Sequence, residues 1–378
     1  MKVLLSAGMI QGGRSGVGRY VIQLARALQE LEGAPELFLA GLAEDREHFP
    51  EVEDGHWVTI PSRFARGPFN LLWHQVFLAK ELRARGIEVV HIPSYRRMLW
   101  RCPVPQVATI HDCAPFVMAG KYDVFRNFFG QQVVPRIARR VQRVIAVSET
   151  TARDITRYLG VPAERLEVVP NGIDHTAFRP QAAEEVARFR ERKKLSQPFF
   201  LYVARLEHPA KNHLRLIEAF ERFREETSAD WQLVLPGAPW HGSERIEAAV
   251  QDSPHSAVIR LEGFVENEDL PLWYAAAGAL VFPSLMEGFG LPLLEAMACE
   301  CLVACADATS LPEVAGPASL LFEGTSVESL TQALQELSEM RAEERERRRG
   351  EGLAWAAQFT WKRHAEGAKR LYGQVKED

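Results

Sequence analysis

Short apolar runs and amphipathic stretches take turns along most of this chain. Residues 2–7, 37–40, 57–60, 89–92, 107–110 and 144–147 are apolar runs of strand length, the signature of strands buried on both faces. Patterns with a 3.6-residue period separate several of them, at 17–31, 69–85, 124–140 and 150–158. Residues 168–174 read as a short strand ending in a turn. A second series opens at Pro198, with strands expected at 199–203, 231–235, 257–261, 280–282, 302–304 and 320–322. Helical patterns lie among them at 214–224, 244–250, 270–276 and 293–298, and a last amphipathic pattern covers 361–375. Such alternation predicts parallel sheets covered by helices. The expected fold class is therefore α/β, with two doubly wound Rossmann-like domains facing across a cleft. The first is placed at 1–178 and the second at 198–358, with a charged, helix-forming linker at 179–197 and a closing helical segment at 359–378.

Ligands of doubly wound sheets bind beyond the carboxyl ends of the strands, and the unusual residues of this chain collect there. After the run at 280–282, Pro283 and Ser284 end the strand and Glu287-Gly-Phe-Gly290 makes a tight loop. Leu291-Pro292 then starts a helix, with proline where its missing N–H costs least. Free N–H groups at such a helix start suit a phosphate. Glu287 in the loop and Glu295, placed in the first helical turn, suit hydroxyl groups of a sugar or ribose; an acidic residue there also serves the helix dipole alone. Arg205 and Lys211 follow the strand at 199–203. Arg205 can bridge phosphate oxygens and Lys211 can act as a point charge, or both are ordinary surface cations. His111 follows the run at 107–110 and is a candidate substrate contact or a structural histidine. A glycine loop at 12–18 precedes the first helix, but no third glycine stands at Val21, so it departs from a dinucleotide fingerprint.

Composition narrows the classes. The 378 residues are 47% hydrophobic and 25% charged, with net charge −5, so bulk charge offers nothing to nucleic acid. The five cysteines lack zinc-type spacing, and reduced thiols in the cytoplasm are expected. No stretch approaches the roughly 20 apolar residues of a membrane span. Residues 63–101 carry Arg63, Arg66, Lys80, Arg83, Arg85, Arg96, Arg97 and Arg101 against Glu81 and Glu88, interleaved with aromatics; Lys121, Asp123, Phe125, Phe128 and Phe129 continue the pattern. Such a patch can rest on an anionic membrane, as a peripheral contact, or its aromatics belong to the core.

Taken together, Glu287-x7-Glu295, VARLEHPAKN, GVGRY, IHD, VSE, VPNGID, LEGFVENEDL and SLPEVAGPASLLF resemble retaining glycosyltransferases of family 4, which have the GT-B fold. The resemblance covers almost the whole length. It implies that Arg205 and Lys211 hold the diphosphate of a nucleotide sugar, that Glu295 binds the ribose and that Glu287 binds the donor sugar. It further implies backbone amides from Phe289, Gly290 and Leu291, a base pocket at Gly263, Phe264 and Val265, and His111 against the donor sugar. Gly16 would let the first helix approach the diphosphate, and the last helix would return to the first domain. The chain departs from the pattern at Ala204 and Glu300, where glycine is usual, and at Leu302, often proline. No cofactor or metal is implied, since no Asp-x-Asp motif occurs and the cations supply the charge. The IHD and GVGRY versions look most like mannosyltransferases of bacterial polysaccharide assembly, with GDP-mannose as donor and a glycan or lipid-linked acceptor. The competing readings are a UDP-hexose-dependent transferase, a nucleotide-sugar epimerase, a dehydrogenase and a non-catalytic nucleotide-sugar sensor.

Overall fold

The computed structural model describes every residue except 11, 14, 66, 118–128 and 378, and the side chains of 115, 117 and 129. Arg66, Lys121, Asp123, Phe125 and Phe128 of the basic, aromatic pattern, and the start of the helix expected at 124–140, lie outside the described residues.

The chain forms two compact units, Met1–Gly172 with Thr360–Asp378, and Ile173–Phe359. The first contains a sheet of seven described strands: β1 (Lys2–Ser6), β2 (Glu36–Leu42), β3 (Trp57–Ile60), β4 (Val89–Ile92), β5 (Gln106–Ile110), β6 (Arg143–Ala146) and β7 (Leu166–Val168). They pair in parallel in the order β3-β2-β1-β4-β5-β6-β7. The second contains six: β8 (Phe199–Leu201), β9 (Gln232–Pro236), β10 (Ile259–Gly263), β11 (Ala279–Phe282), β12 (Val303–Ala306) and β13 (Leu320–Phe322). Their order is β10-β9-β8-β11-β12-β13, again parallel. Each sheet is doubly wound, and the strand order reverses between β1 and β4 in one and between β8 and β11 in the other.

Several boundaries differ from expectation, and the second unit begins at Ile173, inside the span 1–178 expected for the first domain. The seventh strand occupies Leu166–Val168, not 168–174; Val169 still donates to Ala146, but Pro170 has no N–H to continue the ladder. Segment 179–197 is not a free linker. It lies in the second unit as the helix Ala183–Arg192, whose Phe189 is buried edge-on against Trp273 at 5.0 Å. Arg190 fixes it further by donating to the carbonyls of Ala276 and Gln197.

The helix Trp361–Glu377 packs into the first unit through a buried polar chain. His364 bonds the Pro170 carbonyl through Nδ1 at 2.9 Å, so Nδ1 is the donor and Nε2 is left to accept. Tyr20 therefore donates to His364 Nε2 (2.8 Å) and accepts from the Thr109 hydroxyl (2.8 Å). Thr109 in turn accepts from His91 Nε2 (2.7 Å), whose Nδ1 accepts from Tyr372 (2.7 Å). One carbonyl thus sets the direction of every bond in the chain, which joins the helices Gly16–Gln29 and Trp361–Glu377 to β4 and β5.

The helix Leu291–Ala298 ends in a Schellman motif: Cys301 donates to Ala296 (2.9 Å) and Glu300 to Met297 (3.0 Å). Glu300 takes φ +57 at the position where glycine is the usual residue. Its side chain is exposed and loses nothing on removal. Glu300→Gly is expected to stabilise the protein by about 0.5–1 kcal/mol, the left-handed strain relieved less the added chain entropy; an unchanged or lower urea midpoint would contradict this.

Burial holds His91 near pKa 3, and His74, His111 and His364 near 4. An unfolded histidine titrates near 6.5, so between about pH 4 and 6.5 the unfolded chain binds more protons. Stability is therefore complete above about pH 6.5 and is lost as pH falls toward 4, by up to about 1.4 kcal/mol per pH unit for each such histidine. Urea midpoints between pH 7.5 and 5 measure this; a flat profile would show that these rings are not held neutral.

Candidate active site

In the second unit the loops that follow β8, β9 and β10 are laced backbone to backbone. Ala204 donates to Pro236 (3.1 Å), Leu206 to Ala238 (3.0 Å) and Gly237 to Gly263 (2.7 Å). A Cβ on Gly237 would fall 1.8 Å from the Ala204 carbonyl oxygen, so only glycine lets the two loops come this close. The lacing fixes the direction of Arg205, whose half-exposed guanidinium lies over the Trp240 ring at 4.8 Å and pairs with the buried Glu207 at 3.2 Å. Lys211 comes next in the same loop, and its backbone donates to the Glu207 carbonyl. Asn212, at φ +60, donates through Nδ2 to the carbonyls of Pro283 (3.0 Å) and Gly324 (2.8 Å). It thereby ties the start of the helix His213–Glu226 to the loop after β11.

That loop carries Glu287. Its carboxylate accepts from Lys211 Nζ at 2.5 Å, and both side chains are only 17% exposed. A strap from the neighbouring turn holds the backbone: Glu287 N–H donates to Thr309 Oγ1 (3.1 Å), and the Ser310 hydroxyl reaches the carbonyls of Glu287 (3.1 Å) and Phe289 (3.0 Å). Gly290 caps the helix Leu291–Ala298 at φ +107, where a side chain is strained and a Cβ would also meet Leu311 at 2.9 Å. Lys211 after β8 and Glu287 after β11 therefore meet where the strand order of this sheet reverses, with Arg205 on the β8 side and Phe289, Gly290 and Leu291 on the β11 side. Such a switch point is where ligands of these sheets bind.

Glu295 is not in the first turn, contrary to expectation. It is the fifth residue of its helix, 5% exposed, and accepts the Tyr274 hydroxyl at 2.9 Å. Its depth removes the reading that it serves the helix dipole alone, which fades within a turn. Gly263, at φ +69, is the last residue of β10, with Phe264 exposed beside it and Val265 half-buried.

His111 and Gly16 belong to the first unit. Burial lowers His111 to about pKa 4, so the ring is neutral at pH 7. It bonds the Pro93 carbonyl, while Nε2 has no partner among the described residues. Nδ1 is thus the donor, and Nε2 offers a lone pair to a hydroxyl. The Tyr20 ring stands edge-on to the imidazole at 4.7 Å. Gly16 begins its helix with open space where a Cβ would be; the glycine that packing requires is Gly18, whose Cβ would lie 2.4 Å from the Ile10 carbonyl oxygen. Sequence reasoning passed over Tyr20, Glu207, Trp240, Tyr274 and Thr309.

Residues 14–177 match the family described as Glycosyltransferase Family 4, and residues 183–353 match Glycosyl transferases group 1. The chain belongs to the family 4 glycosyltransferases. This glycosyltransferase is 29% identical to O-antigen chain mannosyltransferase B of Escherichia coli over 378 residues, covering 96% of each chain. Its fold is that of GT-B enzymes with solved structures. Sucrose-phosphate synthase from Thermosynechococcus elongatus superposes with a TM-score of 0.79 at 21% identity, covering 99% of both chains. Anabaena HepE in complex with UDP-glucose superposes with a TM-score of 0.77 at 18% identity, covering 99% of this chain and all of that one.

Proposed function

We propose that this glycosyltransferase moves mannose from GDP-mannose, with retention of configuration, onto a glycan or lipid-linked acceptor in polysaccharide assembly. The Lys211–Glu287 ion pair beside the Gly290 turn carries this reading. It places a cation suited to a diphosphate against a carboxylate suited to a sugar hydroxyl, at the switch point of the second sheet. The likeness to an O-antigen mannosyltransferase supports mannose as the sugar.

In this reading the pyrophosphate leaves as the sugar–phosphate bond breaks. Arg205, Lys211 and the N–H groups from Phe289 to Leu291 meet the charge that grows on it, which is the largest help such a site gives. That set provides the positive charge without calling on a metal. His111 Nε2 accepts from a donor-sugar hydroxyl, Glu295 takes the ribose, and Gly263, Phe264 and Val265 line the base. The acceptor approaches the face that the leaving group vacates and passes its proton to a phosphate oxygen.

Purified protein screened by thermal shift against GDP, GDP-mannose, UDP and UDP-glucose tests the donor. A preferred ligand at a hundred times its Kd adds about 2.7 kcal/mol of stability. Stabilisation by uridine compounds alone would favour the UDP-hexose alternative, and turnover of the nucleotide sugar without an acceptor would favour an epimerase. Glu287→Ala is expected to reduce transfer at least a hundredfold while GDP affinity by calorimetry stays within a few-fold; Arg205→Ala and Lys211→Ala each weaken GDP about tenfold or more. GDP affinity at the wild-type level in both would remove the phosphate cradle.

The reading includes peripheral contact with an anionic membrane. No described helix is long and apolar enough to cross a membrane. The helical stretch from Gly67 to Leu78, however, turns Phe69, Leu72, Val76 and Phe77 to solvent at helical spacing. Exposed Arg63, Lys80, Arg83 and Arg101 lie in the surrounding sequence, and Arg140 covers the exposed Trp100 ring at 4.6 Å. In flotation assays the protein is expected to rise with vesicles containing phosphatidylglycerol, and Phe69→Ser/Val76→Ser to stay behind. Equal flotation of the two would exclude this face.

A further inference from the structure

The first sheet has its own switch point, between β1 and β4, and a cation that no carboxylate of the described residues answers stands there. Arg97 follows β4 and is half-buried. Its Nε donates to Asn70 Oδ1 at 2.8 Å and one terminal nitrogen approaches the Gly67 carbonyl at 3.4 Å; no carboxylate of the described residues pairs with it. Burial and the neighbouring Arg96 charge lower its pKa to about 10. A guanidinium in that setting is destabilising unless an anion answers it.

The surroundings hold Arg97 in place instead of neutralising it. Ser6, which ends β1, bonds His74 Nε2 at 2.8 Å, and His74 Nδ1 bonds the Asn70 carbonyl at 2.8 Å. The carbonyl makes Nδ1 the donor, so Ser6 gives its proton to Nε2 and the imidazole is neutral, in keeping with a pKa lowered to about 4. Asn70 is 1% exposed and spends its side-chain oxygen on Arg97. A buried relay from the end of β1 thus orients a fork of N–H donors at the end of β4. In the second unit the corresponding switch point also carries cations, Arg205 and Lys211, although they follow β8, the counterpart of β1.

We infer that Arg97, oriented by Asn70, His74 and Ser6, forms an anion subsite on the first unit that receives a phosphate or diphosphate group of the acceptor. The inference rests on the transferase reading for the word acceptor; the subsite itself stands on the geometry. Asn70 belongs to the same helical stretch whose other side exposes Phe69 and Leu72, so a phosphate on a lipid carrier and a phosphate on a soluble acceptor are the two sources of one chemistry.

The test uses the full chain saturated with GDP, so that the nucleotide site is filled. It is titrated with inorganic pyrophosphate and, separately, mixed with phosphatidylcholine vesicles containing phosphatidic acid. The wild type is expected to show a further saturable rise in melting temperature. Arg97→Met should weaken that response at least tenfold and Arg97→Lys should retain part of it, with GDP affinity unchanged in both. Arg97→Met also leaves the buried Asn70 Oδ1 without its donor, so the ligand-free melting temperature of each variant serves as the baseline and not as the readout. A response to vesicles alone assigns the lipid source, and a response to pyrophosphate assigns the group itself. The subsite is overturned if the wild type shows no second response, if Arg97→Met responds like the wild type, or if it also loses GDP. Should GDP fail to bind any form while pyrophosphate binding still depends on Arg97, the nucleotide reading falls and the subsite stands.

Discussion

Parallel pairing is the constraint from which the rest follows. When every strand of a sheet runs the same way, all of its carboxyl ends arrive at one edge, and the chain must return by a helix before the next strand starts. The order reversals between β1 and β4 and between β8 and β11 then open a gap between diverging connections. In the second unit that gap is filled with cations on one side and a carboxylate and a glycine-capped helix on the other. The sheet does not do the chemistry, but it brings together Lys211 and Glu287, which lie far apart in the sequence, at 2.5 Å.

Holding such a loop edge in shape takes many small straps and few strong ones. Gly237 lets one backbone press on another, Asn212 clasps two carbonyls from distant segments, and Ser310 reaches two in the Glu287 loop. Each is a hydrogen bond of modest net worth, about 1 kcal/mol. Their value here is positional, because an ion pair and a helix start are useful to a ligand only if they stay put. Arg97 in the first unit follows the same logic, with no carboxylate of the described residues to answer it.

Much of this was legible in the residues. The apolar runs fall on the strands because strands buried on both faces tolerate little else, and the Glu287-to-Glu295 and Arg205-to-Lys211 spacings lie beside strand ends. What escaped was mostly long-range. A charged stretch such as 179–197 reads as solvated, and its single apolar ring, Phe189, gives no notice that Trp273 waits for it. Glu295 was set one turn too early because a proline-led helix start does not fix its first residue from sequence alone. Thr109 and His91 sit inside apolar strand runs; a polar residue in such a run is the one local sign of the buried chain that Tyr20 and His364 complete.

That buried chain bears on the order in which the molecule can be built. The first unit is discontinuous: its sheet emerges early, but the helix bearing His364 and Tyr372 is synthesised only after all of 173–359. Until then Tyr20 and His91 lack the partners that His364 and Tyr372 supply. The second unit, though later in sequence, is the one whose parts are all present first on the ribosome, and the earliest residues translated are among the last to be sealed.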